Sequence, residues 1–153
     1  SEMCIRDRIM DGFVSDAVSK GAELLVGGSG IQSPGSFFAP TLLQDVPDTA
    51  RIMTEEPFGP IAPTARFASL DEVINRANSL PFGLAAYAFT GSARTAGVLK
   101  REIETGMLAI NSLHVHSVET PFGGLKFSGY GHEGGIEGLE VFLATRYSSE
   151  IYS

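Results

Sequence analysis

An α/β fold, with a mainly parallel sheet and covering helices, is what this sequence predicts, and three observations predict it. Residues 61–111 alternate extended and helical patterns in the order strand–helix–strand–helix–strand, the order that gives parallel strands joined by crossover helices. The extended pieces at 84–90 and 107–111 are continuously apolar up to Phe89 and Ile110, as in strands buried on both faces. Eighteen glycines in 153 residues exceed the usual ~7%, so the backbone must turn sharply or approach other groups closely at many positions.

Phe13, Val14, Ala17 and Val18 have helical spacing, with Gly21 placed to end the helix as its C′ residue. Residues 23–26 then read as a strand stopped by Gly27-Gly28. Residues 37–43 are a second extended piece, and Pro40 within it marks an edge or a bend. Residues 61–67 are a third. Ser69-Leu70-Asp71-Glu72 has the capping-box spacing ahead of Val73, Ile74 and Ala77, which predicts a helix to about Asn78. Ser92 is placed to cap another helix, whose Ala96, Leu99 and Ile103 share a face and which Gly106 should end. After the strand at 107–111 comes a long glycine-rich loop, a short helix near 135–142, and a final isolated strand at 145–152. Unpaired, that strand would expose a row of backbone groups. It pairs either in trans with another subunit or back on its own sheet. Residues 1–8 have no clean period and abut what looks like the middle of a helix. They read as a non-native leader, with a ragged native start as the other reading.

Composition excludes several classes. With 43% apolar and 19% charged residues, the chain is globular and long enough for a single domain with a real core. A net charge of −7 argues against nucleic acid or an anionic membrane as partner, since both need clustered Lys and Arg. Lys100-Arg101 only ends a helical pattern. The apolar runs are too short to span a bilayer, and no secretory apolar region follows the N-terminus. One cysteine allows no internal disulfide framework and fits a cytoplasmic setting.

Four features invite chemistry. Gly129-Tyr130-Gly131-His132-Glu133-Gly134 matches G-x-G-x-x-G, but only 19 residues follow Gly134. A dinucleotide fingerprint needs a strand before it and a helix, a strand and an acid after it, so the match is expected to be a close-packed loop. His114, His116 and His132 lack a further clustered ligand, so a metal site is not expected. The 114–120 segment is expected to line a cavity mouth. Cys4 has no base in local register and is set aside as a nucleophile. In Glu55-Glu56-Pro57-Phe58-Gly59-Pro60 the prolines stiffen the flanks and Gly59 lets the chain turn beside Phe58. The bland reading is a solvated acidic corner. The other is a carboxylate that accepts two hydrogen bonds from adjacent hydroxyls, as on a ribose, beside an aromatic that packs on an apolar ring.

The segment at 55–60 resembles the E-E-x-F-G-P motif of the aldehyde dehydrogenase superfamily. Residues 80–90, 106–111 and 121–134 resemble that family's later segments in the same order, and the likeness runs from about Ile9 to the C-terminus. It implies a partial catalytic domain of the aldehyde dehydrogenase fold over 9–142, with an oligomerisation strand at 143–153. It implies that Glu56 binds the hydroxyls of the nicotinamide ribose of NAD or NADP, that Phe58 packs near the nicotinamide, and that Leu84 approaches the same ring. Phe122 would form part of the aldehyde pocket, and the loop at 113–120 would set substrate choice. In the family a cysteine thiolate attacks the aldehyde, hydride passes to the cofactor, and a glutamate activates water. The matching cysteine, glutamate, oxyanion asparagine and Rossmann-type half precede the region matched here, so no catalytic residue is assigned and the chain is expected to be inactive alone.

Residues 77–84 and 117–122 look most like the succinate-semialdehyde dehydrogenase branch and related semialdehyde enzymes. On that likeness Ser117 donates a hydrogen bond to the substrate's distal carboxylate; the other reading is an ordinary loop hydroxyl. Two further classes stay open: a non-catalytic module that binds or oligomerises through its last strand, and a nucleotide-binding protein that uses the glycine loop. A homo-oligomer acting on a small aldehyde is the partner expectation.

Overall fold

Met10, Phe13, Val14 and Ala17 recur at the spacing that sets side chains along one stripe of a helix, and they form the buried face of α1 (Glu2–Ser19). The computed structural model describes residues 2–31, 35 and 37–152. The helix ends as the sequence predicts. Gly21 adopts φ +102°. Its N–H donates to the Val18 carbonyl and the Ala22 N–H to that of Ala17, each at 3.0 Å, the two bonds of a Schellman end. β1 (Glu23–Val26) then runs antiparallel to β2 (Thr41–Gln44), and β3 (Ile61–Pro63) adds parallel on the other side of β2. Thr41 and Leu43 of β2 are buried while Leu42 and Gln44 are half-buried, the alternation of a strand with one face on a core. The α1 stripe, Leu43, Val46, Ala50, Ile52 and Ile61 make one apolar cluster.

Asp16 ties α1 to the 3₁₀ turn Arg51–Met53. Its carboxylate accepts the Arg51 backbone N–H at 2.8 Å and pairs with Lys20 at 2.8 Å. The bond from Lys20, then that from the Arg51 amide, hold the acid below its ordinary value of 3.8. A lowered folded-state pKa contributes stability that is fully present above the unfolded value and is lost as pH falls through the folded one. Asp16→Asn should therefore lower the urea midpoint at neutral pH and flatten its decline below about pH 4. An acid limb identical to that of the parent chain would refute this.

The chain divides into two compact units, residues 1–68 and 69–153, where its length predicts one domain. The division falls there because β3 satisfies its backbone on β2 rather than on the later strands. In the second unit Ser69 Oγ accepts the Glu72 N–H at 3.2 Å and starts α2 (Leu70–Ala77). β4 (Phe82–Gly83) pairs antiparallel with β7 (Leu125–Lys126). β5 (Ala85–Ala88), α3 (Ala93–Glu102) and β6 (Met107–Ile110) form a parallel βαβ unit, with Ala85 opposite Met107 and Ala88 opposite Ile110. Ser92 Oγ caps α3 by accepting the Thr95 N–H at 3.2 Å. Ile74, Leu99, Met107 and Ala109 are the buried apolar side chains of this unit.

Several expectations need correction. The parallel strands are present, as the β2–β3 and β5–β6 pairs, but they are divided among three small sheets rather than joined in one. β5 is not buried on both faces: Tyr87 is 48% exposed and Phe89, just beyond the strand, 66%. Residues 64–67 do not extend β3; Thr64 instead bonds Leu43 and Val46. Gly106 does not end α3, which stops at Glu102 where Ile103 turns extended at ψ 120°. The short helix contracts to α4 (Glu137–Glu140). The strand expected at 145–152 is not formed: those residues make no ladder and carry no regular structure, and Ile151 is 91% exposed. A strand is defined by its partner, and the chain's own sheets offer this segment none. No helix among the described residues is long and apolar enough to cross a membrane.

Candidate functional site

In the first unit the sequence 55–60 folds as consecutive tight turns. The Phe58 N–H donates to Glu56 O at 3.0 Å, Gly59 N–H to Pro57 O at 2.6 Å and Ile61 N–H to Gly59 O at 2.9 Å. Three three-residue turns in succession hold the Phe58 ring out, 67% exposed. The Arg6 guanidinium lies over that ring at 5.2 Å and donates to the Phe58 carbonyl at 3.1 Å.

The two acids ahead of Phe58 are not equivalent. Arg51 Nε and Nη2 each reach one oxygen of Glu55 at 2.8 Å, a bidentate fork. That hydrogen bonding holds Glu55 below its ordinary carboxylate value and raises Arg51. The Glu56 carboxylate is exposed and makes no hydrogen bond or ion pair among the described residues. The sequence shows two adjacent glutamates; the fold engages one and leaves the other open to solvent.

In the second unit, Leu84 and Phe122 share a cavity of about 370 Å³ with Gly123, Gly124, Ser128, Gly129, Tyr130, Gly131, His132, Glu133 and Val141. That volume suits a small organic substrate or one end of a cofactor. Phe122 and Glu133 exchange backbone bonds of 2.6 and 2.7 Å, which fixes the aromatic at the rim. The His116 ring stands edge-on to it, at 5.2 Å and 84°. On the other side of Leu84 lies a second hollow of about 270 Å³ that includes Phe82, Gly83, Ile103 and Thr105.

Ser117 sits in a turn that uses its own polar groups. Its N–H donates to Thr120 Oγ1 at 3.0 Å, and its hydroxyl lies 3.3 Å from that oxygen. The same hydroxyl bonds Glu119 and is the main cause of that acid's lowered pKa. A serine hydroxyl has one proton, so binding a substrate carboxylate requires Ser117 to redirect it from its own turn.

The remaining candidates resolve as follows. The glycine loop has only the two-residue β7 before it and the four-residue α4 after it, so it lacks the strand and long helix that cradle a pyrophosphate. Gly131 makes its bend at φ +87°. No cluster of three His, Cys, Asp or Glu that could hold a metal occurs among the described residues. The side chain of Cys4 lies outside the described residues. Sequence reasoning missed Tyr130, His132 and Glu133 as cavity-lining residues, although all three lie within the glycine pattern it singled out.

Glu56 and Phe58 belong to the first unit, and Leu84, Ser117 and Phe122 to the second. Within the second, Leu84 and Phe122 meet across one cavity. Comparison with known proteins decides what these groups belong to: residues 6–147 match the aldehyde dehydrogenase family. The chain belongs to that family. It is 45% identical over 142 residues to 4-(hydroxymethyl)benzenesulfonate dehydrogenase TsaD1 of Comamonas testosteroni, covering 93% of this chain and 29% of that protein. It is 43% identical over 134 residues to a probable NADP⁺-dependent succinate-semialdehyde dehydrogenase of Sinorhizobium fredii, covering 88% and 27%. The crystal structure of succinate-semialdehyde dehydrogenase from Burkholderia pseudomallei superposes with a TM-score of 0.86 at 37% identity, covering 89% of this chain and 28% of that one. The aldehyde dehydrogenase fold is thereby confirmed, and the chain spans about 29% of the length of the first of these relatives.

Proposed function

We propose that this chain is the C-terminal portion of an NAD(P)-dependent aldehyde dehydrogenase that oxidises a semialdehyde to the carboxylic acid, and that the 153 residues are inactive alone. The observation that carries the reading is the cavity shared by Leu84 and Phe122, two residues that the family likeness places against cofactor and aldehyde. The exposed Phe58 and the open Glu56 carboxylate fit the nicotinamide end of a dinucleotide, the acid accepting the ribose hydroxyls. NAD or NADP, when bound, supplies the hydride acceptor. This chain's own residues orient: in the first unit Glu56 anchors the ribose and Phe58 presents apolar surface beside it, and in the second Leu84 and Phe122 line the cavity and exclude water from the aldehyde. The thiolate and the water-activating carboxylate come from outside these residues. The exposed Tyr87 on a two-stranded parallel ladder and Phe89 just beyond it fit a larger fold that packs further elements over that face.

Both curated relatives described above have names that place an anionic group remote from the reacting carbon. That supports a substrate with a distal carboxylate or sulfonate, with Ser117 as a donor to it. Residues 145–152, open along their length, are the segment proposed to pair with a neighbouring subunit. In the assay, the isolated chain should reduce no NAD⁺ or NADP⁺ with succinate semialdehyde, and the longer protein should. In that longer protein Ser117→Ala should narrow the preference for succinate semialdehyde over butanal. Turnover by the isolated chain refutes the first part, and an unchanged preference the second.

A non-catalytic module is the competing reading, and the exposed segment at 145–152 is the feature that favours it. It is abandoned if the longer protein oxidises aldehydes.

A further inference from the structure

Lys126 stands outside every role described so far, yet its ammonium group is held on three sides. Its ammonium group has three donors and three acceptors surround it: Asn78 O at 3.0 Å, Leu80 O at 3.0 Å and Glu104 Oε2 at 2.6 Å. The backbone of Lys126 is held at φ +56°, a left-handed conformation that a non-glycine residue adopts only where its surroundings impose it. Asn78 closes the arrangement, since its side chain donates to Glu102 O at 2.7 Å and accepts the Glu104 N–H at 2.9 Å. One lysine therefore joins the end of α2, the turn after α3 and β7.

Those three points support the two walls of the Leu84–Phe122 cavity. From Asn78 and Leu80 the chain runs directly into β4 and Leu84, and β7 leaves the loop that carries Phe122. The walls are also stitched beyond the lysine: the Gly83 N–H donates to Ser128 Oγ at 2.9 Å and the Phe127 N–H to Pro81 O at 2.9 Å. Both stitches lie within two residues of a Lys126 contact or of Lys126 itself. We infer that Lys126 is a positioning residue whose ammonium locks the Leu84 wall to the Phe122 wall and so sets the width of the aldehyde cavity. The inference concerns geometry alone, and only its kinetic consequence rests on the function proposed above. Arginine is not a substitute, because a planar fork does not direct donors at three acceptors converging on one point.

The test uses the longer enzyme that contains this chain, with Lys126→Met, which keeps the stem and removes the donors, and Glu104→Gln, which keeps the fold's contacts and removes the charge. Lys126→Met is expected to raise the aldehyde KM about tenfold while kcat stays within about threefold, since a cavity loosened by a fraction of an ångström loses positioning before it loses chemistry. Hydrogen exchange should accelerate at least about tenfold at the Gly83 and Phe127 amides together, with the β5–β6 amides unchanged. Lys126→Arg should resemble Lys126→Met, and Glu104→Gln should show the same pattern at smaller amplitude. Exchange that rises uniformly through the unit, or a KM that stays put while the melting temperature falls, reduces Lys126 to a general stabiliser and overturns the inference. If Lys126→Met does not fold, Glu104→Gln decides by the same two readouts. If the parent enzyme oxidises no aldehyde, the proposed function fails, and the exchange pattern still decides the role of Lys126.

Discussion

Replacing Gly106 by alanine should destabilise the chain by about 3 kcal/mol or more, at or above the upper end for over-packing, and should also displace the loop that carries Phe122. A Cβ at this position would overlap the Gly123 carbonyl oxygen, with the Gly123 carbonyl carbon at 2.8 Å and the Gly124 Cα at 3.0 Å. All three are backbone atoms, so no side chain can rotate away and the loop itself must move. Gly106 cannot retreat in compensation, because its N–H donates to Gly83 O at 3.0 Å. Gly91 provides the control: it has nothing within 4 Å of its notional Cβ, and Gly91→Ala should stay within about 0.5 kcal/mol of the parent. Urea unfolding of both variants measures the difference. A Gly106→Ala chain as stable as Gly91→Ala would show that the close approach between the α3–β6 turn and the 123–124 loop is not a constraint.

Gly106 also shows where the sequence was legible and where it was not. As a punctuation mark after a helical pattern it reads as a C-cap, because local rules know only the neighbours in sequence. Its actual constraint comes from Gly83 and Gly123, and that contact is tertiary. The same split runs through the fold. Ser69, Ser92 and Gly21 were readable as caps because a cap is a bond between residues three to five apart. The apolar runs of β5 and β6 were readable as a parallel pair, since their pattern is local and the intervening helix sets the hand. That Ile61–Pro63 would pair with Thr41–Gln44 was not readable, because strand partners are chosen by pairing across the chain. The segment at 145–152 has no ladder within this chain for a related reason: β-propensity describes a side-chain pattern, and a ladder needs a second strand.

At the candidate site the division is similar. The motif at 55–60 and the aromatic at 122 were visible because proline, glycine and phenylalanine in that order restrict the backbone wherever they occur. The partition of labour between Glu55 and Glu56 was invisible, since it depends on Arg51 reaching Glu55 from one turn earlier. The use of Ser117 within its own turn was also hidden, although Ser117 and Thr120 stand at the spacing of such a motif.

Exchange of Glu56 for glutamine should weaken the binding of NAD(P) by the longer enzyme about 10- to 100-fold, with much less effect on stability. A carboxylate that accepts two ribose hydroxyls makes two charge-assisted hydrogen bonds, each worth about 1.5–3 kcal/mol, and 1.4 kcal/mol is a factor of ten. Glutamine retains one acceptor oxygen and offers an NH₂ group that can only donate, so one hydroxyl loses its partner and the other loses the charge. Glu55→Gln is the discriminating companion. It breaks the fork with Arg51, an exposed pair whose contribution to stability is small, and it leaves the Glu56 carboxylate in place. Isothermal titration of both variants with NAD⁺ and NADP⁺ therefore separates the two acids. A larger loss for Glu55→Gln would reverse the assignment and make the Arg51 fork, rather than the free carboxylate, the cofactor's anchor. Equal and small losses would remove the acidic pair from the binding site, leaving the solvated corner as the reading of residues 55 and 56. The expected order, Glu56→Gln far weaker than Glu55→Gln, follows from one structural difference: adjacent, identical side chains, of which the fold has already engaged one.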